Sequence, residues 1–209
     1  MKSGVKWIVM GICYVLVAPW GFSARLLHVL FRSRVLFEMF AQGFALLPGL
    51  PGDFLRTCFY KQTLAESHLD TQIMFGAIVS KFETRIGRRV ILALGASVGL
   101  ADIEDGANIG NRAVVLSGRR QHGFDDPARH PMETRPVFAR IRIGRNSFVG
   151  DNAIVMADVG CNTIIGAGSV VVRDVPDFVV AVGNPARVVK QRTRPMGVDA
   201  PAEAADRTP

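Results

Sequence analysis

Cysteine is scarce in this sequence, with three residues among 209. Cys13, Cys58 and Cys161 are far apart, odd in number and show no CxxC spacing. Disulfide-framed secreted domains and structural zinc sites need paired or closely spaced cysteines. We therefore expect these residues to serve as small apolar side chains in a reducing compartment.

No nucleic-acid-binding motif accompanies the net charge of +7, and the basic residues are spread along the chain. Anionic lipid, the phosphates of coenzyme A or an acidic glycan explain this charge more simply than nucleic acid does. A small-residue cleavage site is also missing after the apolar N-terminal stretch, so we do not expect a removed signal peptide.

Charge is absent from residues 7–24, a stretch of eighteen residues that Pro19 and Gly21 are expected to interrupt near its end. Trp7 and Trp20 lie near its two ends, as aromatics at a membrane interface do. About 20 apolar residues are needed to cross a bilayer, so a helix lying on one leaflet and a spanning helix both remain open. A third alternative is an apolar helix packed in a soluble oligomer. We expect membrane association, because basic residues flank both sides: Lys2, Lys6, Arg25, Arg32 and Arg34.

Residues 25–47 predict a continuing amphipathic helix with a basic stripe. A break rich in proline and glycine follows at residues 47–53. Asp53 is then expected to cap a short helix over residues 54–67. Residues 1–70 are therefore predicted to form a helical N-terminal segment that associates with a membrane.

A period of six residues organises residues 71–190. It fits neither a helix, with a period of 3.6, nor an alternating strand, with a period of 2. It fits a chain that turns a corner every six residues, so that every sixth side chain enters one narrow core. The phase slips near Arg85 and Asp102. The aliphatic anchors are Ile73, Val79, Ile86, Leu92, Val98, Ile103, Ile109, Val115, Ile143, Val149, Val159 and Ile165.

These repeats, with IGAGSVV at residues 165–171 and GNPAR at residues 183–187, resemble the hexapeptide-repeat acyltransferases. The resemblance covers residues 71–190. It implies a mainly β fold, a left-handed parallel β-helix. It also implies a homotrimer, acetyl-CoA as co-substrate and a saccharide as acceptor.

Residues 118–140 interrupt the repeat with a polar stretch that has no period of six. Long loops inside regular folds are commonly functional. The resemblance implies that such a loop wraps a neighbouring subunit and carries a catalytic histidine at its start, where His122 stands. A neutral imidazole can take the proton of an attacking hydroxyl. Ser117 is not expected to be a nucleophile, since no GxSxG motif surrounds it, and His130 is expected to be an ordinary loop histidine.

The resemblance also implies a coenzyme A site between two β-helices, formed by backbone groups of the late turns and by basic residues that meet the phosphates. For Arg187 and Lys190, the alternative is that they are ordinary exposed charges with no role in binding. No metal is expected, because the carbonic anhydrases of this fold need three histidines and only His122 and His130 lie near the repeats. The matching positions are Asp151, Ala167, Val172, Arg173, Arg187 and Lys190.

Ala93 stands where relatives that act on small sugars often carry asparagine, which disfavours a small free sugar. We therefore expect an O-acetyltransferase for a membrane-linked saccharide or surface-polysaccharide precursor, at the cytoplasmic face of the bacterial inner membrane. The alternatives are a soluble acetyltransferase for a small hydroxylated compound such as an antibiotic, and a non-catalytic trimeric membrane scaffold. Residues 191–209 contain no aromatic residue and are expected to be a disordered tail.

Overall fold

Three helices precede a stack of short strands in the computed structural model, which describes residues 3–119, 130, 133 and 136–193. The helices are α1 (Ser3–Phe31), α2 (Val35–Ala45) and α3 (Gly49–Thr63). The strands are β1 (Gln72–Ile73), β2 (Ile78–Val79), β3 (Arg85–Ile86), β4 (Ile91–Leu92), β5 (Ser97–Val98), β6 (Ala101–Ile103), β7 (Asn108–Ile109), β8 (Val114–Val115), β9 (Ile141–Ile143), β10 (Phe148–Val149), β11 (Ile154–Val155), β12 (Ile164–Ile165), β13 (Val170–Val171), β14 (Val179–Val182) and β15 (Arg187–Gln191).

Helix α1 is apolar on two faces. Met10, Cys13 and Val17 are buried beside Cys58 of α3. Within α1, Gly4–Phe31 is long and apolar enough to cross a membrane, and 28% of its most apolar window is buried. A second face, here called the outer stripe, stays exposed and consists of Val5, Ile8, Ile12, Val15, Phe22, Leu26 and Val29.

The expected interruption at Pro19 and Gly21 is wrong, because α1 continues through both to Phe31. Gly21 instead allows a close approach of α3. A Cβ atom at this position would lie 2.7 Å from Oε1 of Gln62. A glycine in this helix therefore serves the packing of two helices and does not end one of them.

The helix predicted over residues 25–47 is also wrong, because the chain breaks at Arg32, whose φ is 55°. This break lets α2 turn Phe37 and Ala41 into the core that continues into the strand stack. Local periodicity misses such a break, because the gain comes from burial against residues far along the chain.

Helix α3 begins at Gly49 and ends at Thr63, so both limits of the predicted helix over residues 54–67 are wrong. Pro51 lies in the first turn, where a missing backbone N–H leaves no hydrogen bond unmade. Asp53 does not cap the helix. Its carboxylate Oδ1 lies 2.6 Å from Nη2 of Arg56 within the same helix.

The strands form a three-sided parallel coil. From β1 to β11 each strand belongs to the next sheet in turn, so the chain returns to the same sheet on every third strand. The first sheet has the order β1-β4-β7-β10-β12-β14-β15, the second β13-β11-β8-β5-β2 and the third β3-β6-β9. Bridges from Ile143 to Val159 and from Val159 to Val175 extend the third sheet. The expected stack of parallel repeats is confirmed.

The aliphatic anchors lie inside this coil and are essentially inaccessible to solvent, from Ile73 to Ile165. Strand pairing also shows the predicted phase slips. Gln72 pairs with Ile91, nineteen residues later, whereas Ile91 pairs with Asn108, seventeen residues later. A turn therefore gains or loses residues at its corners and keeps every anchor pointing inward.

Glycine follows the anchors because neighbouring turns approach closely there. A Cβ atom on Gly150 would lie 2.5 Å from the backbone nitrogen of Ala167, and one on Gly144 would lie 2.5 Å from that of Cys161. Many of the corners also require positive φ, which glycine and asparagine adopt at the lowest cost. Gly168 and Asn152 occupy such positions, with φ values of 69° and 56°.

The excursion over residues 118–140 leaves the coil without disturbing its register. Asp102 of β6 pairs with Arg142 of β9, forty residues later, which is 23 more than a seventeen-residue turn. The neck of the excursion is closed, because the N–H of Ala139 donates to the carbonyl of Ser117 at 2.9 Å.

A buried arginine fastens the helices to the first turn. The side chain of Arg56 is inaccessible to solvent. Its Nη1 donates to the carbonyls of Phe44 and Leu47 at 2.8 and 2.7 Å, and its Nε donates to the carbonyl of Ile73 at 3.0 Å. One side chain thereby joins α2, α3 and β1, and α1 is held through its packing on α3.

Candidate functional site

Strand β13 brings several of the predicted site residues together. It is the last strand of the second sheet. Ala167 lies in the corner immediately before it, and Val172 and Arg173 lie in the corner immediately after it. Ala167 and Arg173 are exposed, so backbone and charged groups at both ends of β13 are accessible.

Asp151 occupies the same corner one turn earlier than Ala167. Its backbone carbonyl accepts the N–H of Gly168 at 2.8 Å. Its carboxylate accepts the backbone N–H of Asn111 at 2.7 Å and the Nδ2 of the same residue at 2.9 Å. These hydrogen bonds hold the pKa of Asp151 below its usual range, so the group is anionic at neutral pH. In this structure the side chain of Asp151 thus ties its own corner to the corner of Asn111, one turn earlier.

Arg187 reaches β13 from the end of the coil. The N–H of Ala186 donates to the carbonyl of Val170 at 2.8 Å, which places Arg187 beside this strand. Lys190 lies further along β15, which runs antiparallel to β14 and pairs Lys190 with Val180. Both basic side chains are exposed. The structure therefore joins Arg187 to the residues around β13 and places Lys190 three residues beyond it.

The start of the excursion lies against the same corner. Nη1 of Arg119 donates to the carbonyl of Val172 at 3.0 Å. His122, the predicted catalytic residue, follows three positions later and lies outside the described residues. Ser117 is buried, and its Oγ accepts the N–H of Leu100 at 2.8 Å. This serine supports the neck of the excursion.

Two contacts at the site were missed by the sequence analysis: the bond of Arg119 to Val172 and that of Asn111 to Asp151. The first joins the start of the excursion to a corner after it, and the second joins residues on opposite sides of the excursion. An alignment of the repeats that leaves out the 23 residues of the excursion would have paired Asn111 with Asp151. The sequence therefore did contain the signal for this contact. No comparable signal exists for Arg119, because its contact depends on the direction of the loop.

Arginine dominates the charge around β13, with Arg119, Arg173 and Arg187 all exposed. Asp174 is the neighbouring acid, and its Oδ1 accepts the N–H of Asp158 at 3.1 Å. Such a corner attracts phosphate groups. Among the described residues, no group of three or more His, Cys, Asp and Glu side chains is placed to hold a metal ion.

No family model matches the chain. Over 53 residues it is 43% identical to the galactoside O-acetyltransferase of Escherichia coli K12, a match that covers 24% of this chain and 26% of that one. The structure is similar to a maltose O-acetyltransferase from Clostridium difficile, with a TM-score of 0.69, 20% identity and coverage of 79% and 89%. It is also similar to a hexapeptide-repeat acetyltransferase from Vibrio cholerae solved with acetyl-CoA, with a TM-score of 0.52, 18% identity and coverage of 66% and 77%.

The chain is thus similar over part of its length to named acetyltransferases, and its fold is similar to that of a hexapeptide-repeat acetyltransferase. The chain spans less than a third of the length of the curated relatives that it matches. The structural matches show a shared fold only, because their sequence identity to this chain is low. Within this hexapeptide-repeat fold, the residues around β13 form the candidate active site.

Proposed function

We propose that this protein is an O-acetyltransferase that moves an acetyl group from acetyl-CoA to a hydroxyl of a saccharide. The observation that carries the proposal is the meeting of three features at β13. These are the exposed corner at Ala167, the basic side chains of Arg173 and Arg187, and the start of the excursion at Arg119. The acetyl-CoA complex of the similar Vibrio cholerae enzyme supports the choice of co-substrate.

Acetyl-CoA would lie along β13 with its phosphates near Arg173, Arg187 and Lys190. Guanidinium and ammonium groups pair favourably with phosphate oxygens. Backbone groups of the corners at Ala167 and Val172 would hold the pantetheine arm. The Asp151 carboxylate would not bind acetyl-CoA directly, because Asn111 already donates two hydrogen bonds to it. It would instead fix the backbone of the corner that does.

A homotrimer of left-handed coils would complete this site. The first and second sheets present apolar residues outward, among them Phe148 and Ile154, which are 40% and 37% exposed. The third sheet instead presents charged residues, including Asp102 and Arg142. Burial of the two apolar faces between subunits would form a groove along β13.

His122 would act as the general base. The acceptor oxygen attacks the thioester carbonyl carbon while the imidazole takes its proton. The tetrahedral intermediate then loses coenzyme A as the thiolate, which recovers the proton from the imidazolium. The close contact of Arg119 with Val172 supports this assignment, because it directs the start of the excursion towards β13.

We place the enzyme at the cytoplasmic face of the bacterial inner membrane, with the outer stripe of α1 in contact with lipid. A typical helix on a soluble protein buries its apolar face, whereas Val15, Phe22 and Val29 are each about seventy per cent exposed (71%, 68% and 74%). The acceptor would then be a lipid-linked saccharide or a surface-polysaccharide precursor.

The test uses the full-length protein, acetyl-CoA and lipid extracts that contain saccharide precursors, with mass spectrometry of the products. An added acetyl group on a saccharide is the expected result. Acetyl-CoA binding without transfer to any extracted glycan would contradict this acceptor class, and absence of acetyl-CoA binding would favour a non-catalytic scaffold. Recovery of the full-length protein in the soluble fraction with transfer to a small compound would favour a soluble enzyme.

A further inference from the structure

A basic depression lies where the second half of α1 meets the first turn of the coil, with a cavity volume of about 530 Å³. Its lining includes Arg25, His28 and Val29 from α1, Glu83 and Arg85 from the coil, and Arg140 from the end of the excursion. It lies in the first turn, whereas the candidate active site lies in the last ones. The depression is therefore separate from the residues around β13.

The charge in the basic depression is not balanced. Arg140 donates to the carboxylate of Asp102 at 2.6 Å, and Glu83 lies 3.7 Å from Arg34. Arg25 and Arg85 are exposed and make no ion pair with any residue that the structure describes. Two guanidinium groups at one depression favour an anion, and their planar donors suit phosphate oxygens.

His28 provides an independent indication of a ligand. Its ring stacks on Phe82 with centroids 4.2 Å apart. Its Nδ1 is shielded from solvent and has no hydrogen-bond partner among the described residues. Buried polar atoms are ordinarily hydrogen-bonded. An oxygen of a bound ligand would supply the missing partner, with Nδ1–H as the donor.

The outer stripe of α1 borders the basic depression, since Val29 contributes to both. A second depression between α1 and α3 shares Arg25 and is lined by Ala18 and Phe22. Phosphate-binding groups thus adjoin apolar surface along one helix. A free phosphate ion would use only the basic part, whereas a phosphorylated lipid would use both.

We propose that the basic depression binds the phosphate group of a membrane lipid whose hydrocarbon chain lies along the outer stripe of α1. This inference rests on the membrane contact of α1 proposed above. For an acceptor saccharide linked to lipid through phosphate, the depression would hold the linking phosphate. Arg25 and Arg85 would bind the phosphate oxygens, and His28 would donate to one of them.

The experiment measures binding of the full-length protein to vesicles of phosphatidylcholine, with and without a minor fraction of phosphatidic acid. The test variant is Arg25→Gln with Arg85→Gln. The matched control is Lys6→Gln with Arg32→Gln, which removes the same charge near α1 but outside the basic depression. Inorganic phosphate is added as a competitor in a separate series.

Wild type and control should bind vesicles with phosphatidic acid more tightly than neutral vesicles. The test variant should lose this preference by about tenfold or more, the scale of one charge-assisted hydrogen bond. All three should bind neutral vesicles equally. An equal loss in the control would show general attraction to the surface and overturn the proposal, as would an unchanged test variant.

Full competition by inorganic phosphate at concentrations equal to that of the lipid would show a site for the free ion and overturn the lipid assignment. Failure of every variant to bind neutral vesicles would contradict the membrane contact of α1 itself. Acetyl transfer is measured separately, so a loss of the proposed enzymatic function is distinguishable from a loss of lipid binding.

Discussion

At the scale of single residues, Arg56 has the largest expected effect on stability. Substitution by methionine removes the guanidinium donor from the carbonyls of Phe44, Leu47 and Ile73, and removes the ionic partner of Asp53. Removing one member of a buried ion pair costs about 3–5 kcal/mol. We expect Arg56→Met to lower the free energy of unfolding by that amount, measured by denaturant titration.

Arg34→Gln is the matched control, because the Arg34 side chain is 34% exposed and lies 3.7 Å from Glu83. Exposed pairs contribute at most about 1 kcal/mol. Similar losses of stability in the two variants would mean that Arg56 does not fasten the helices to the coil.

The His122→Ala prediction concerns catalysis. Loss of a general base should reduce acetyl transfer by roughly 10²- to 10⁴-fold. Acetyl-CoA binding should persist, because the groups around β13 are unchanged. In the wild type the rate should rise with pH, since only the neutral imidazole accepts a proton. Steady-state kinetics over a pH series provides the measurement.

His130→Ala is the control within the same excursion and should cost much less activity. Turnover close to wild type in His122→Ala would contradict the mechanism. So would a loss of acetyl-CoA binding equal to the loss of rate, since that pattern would indicate damage to the site as a whole.

The inward residues were predictable from sequence, because the anchor at each sixth position depends on local geometry alone. Ile143, Val149 and Ile165 are buried as expected. The partner of Asp151 was not predictable in this way. Asn111 stands forty residues earlier, and the excursion hides their alignment until its length is known.

At the scale of elements, the corner after β13 and strand β15 carry the basic residues that we assign to the phosphates of acetyl-CoA. The combined change Arg173→Ala, Arg187→Ala and Lys190→Ala should weaken acetyl-CoA binding by about tenfold or more at low salt. The difference from wild type should shrink as salt screens the charges. Calorimetric titration at two salt concentrations measures both effects.

The matched control removes three exposed arginines of other corners: Arg88, Arg89 and Arg145. It changes the net charge equally but leaves β13 and β15 intact. An equal loss of affinity in this control would show that net charge, and not the position of the three residues, governs binding.

Helix limits were less predictable than strands. The sequence predicted a helix through Arg32 and a cap at Asp53, and both are wrong. Phe37 packs into the core that continues into the strand stack, and Asp53 pairs within α3 with Arg56, whose side chain is buried against distant carbonyls. A six-residue repeat is readable because its neighbours lie one turn away, whereas a helix break depends on distant residues.

At the scale of the whole molecule, the membrane contact that we propose for α1 can be tested by its effect on where the protein resides. The combined change Ile8→Gln, Val15→Gln, Phe22→Gln and Val29→Gln should move the protein from membranes to the soluble fraction. Each apolar side chain contributes about 1.5–3 kcal/mol when removed from water. The fold should persist, because these side chains are 66–74% exposed. Fractionation of cell extracts measures the distribution.

Leu94→Gln with Val189→Gln is the control, since these side chains are exposed on the coil, at 49% and 61%. This control should remain with the membrane. A soluble wild-type protein, or equal release of both variants, would contradict the role of the outer stripe. Deletion of residues 1–50 is a poorer test, because it removes two carbonyl partners of Arg56.

A coil that advances by one strand per turn fixes the distance between its first and last turns. Four pairings separate Arg85 of β3 from Asp174 beside Val175, through β6, β9 and Val159. At about 4.8 Å for each pairing, this is about 19 Å. If the phosphate of an acceptor is held at the first turn, the hydroxyl that meets the far corner is the one that lies about 19 Å from that phosphate. The number of turns between the helices and β13 would then select which sugar along an extended chain is acetylated.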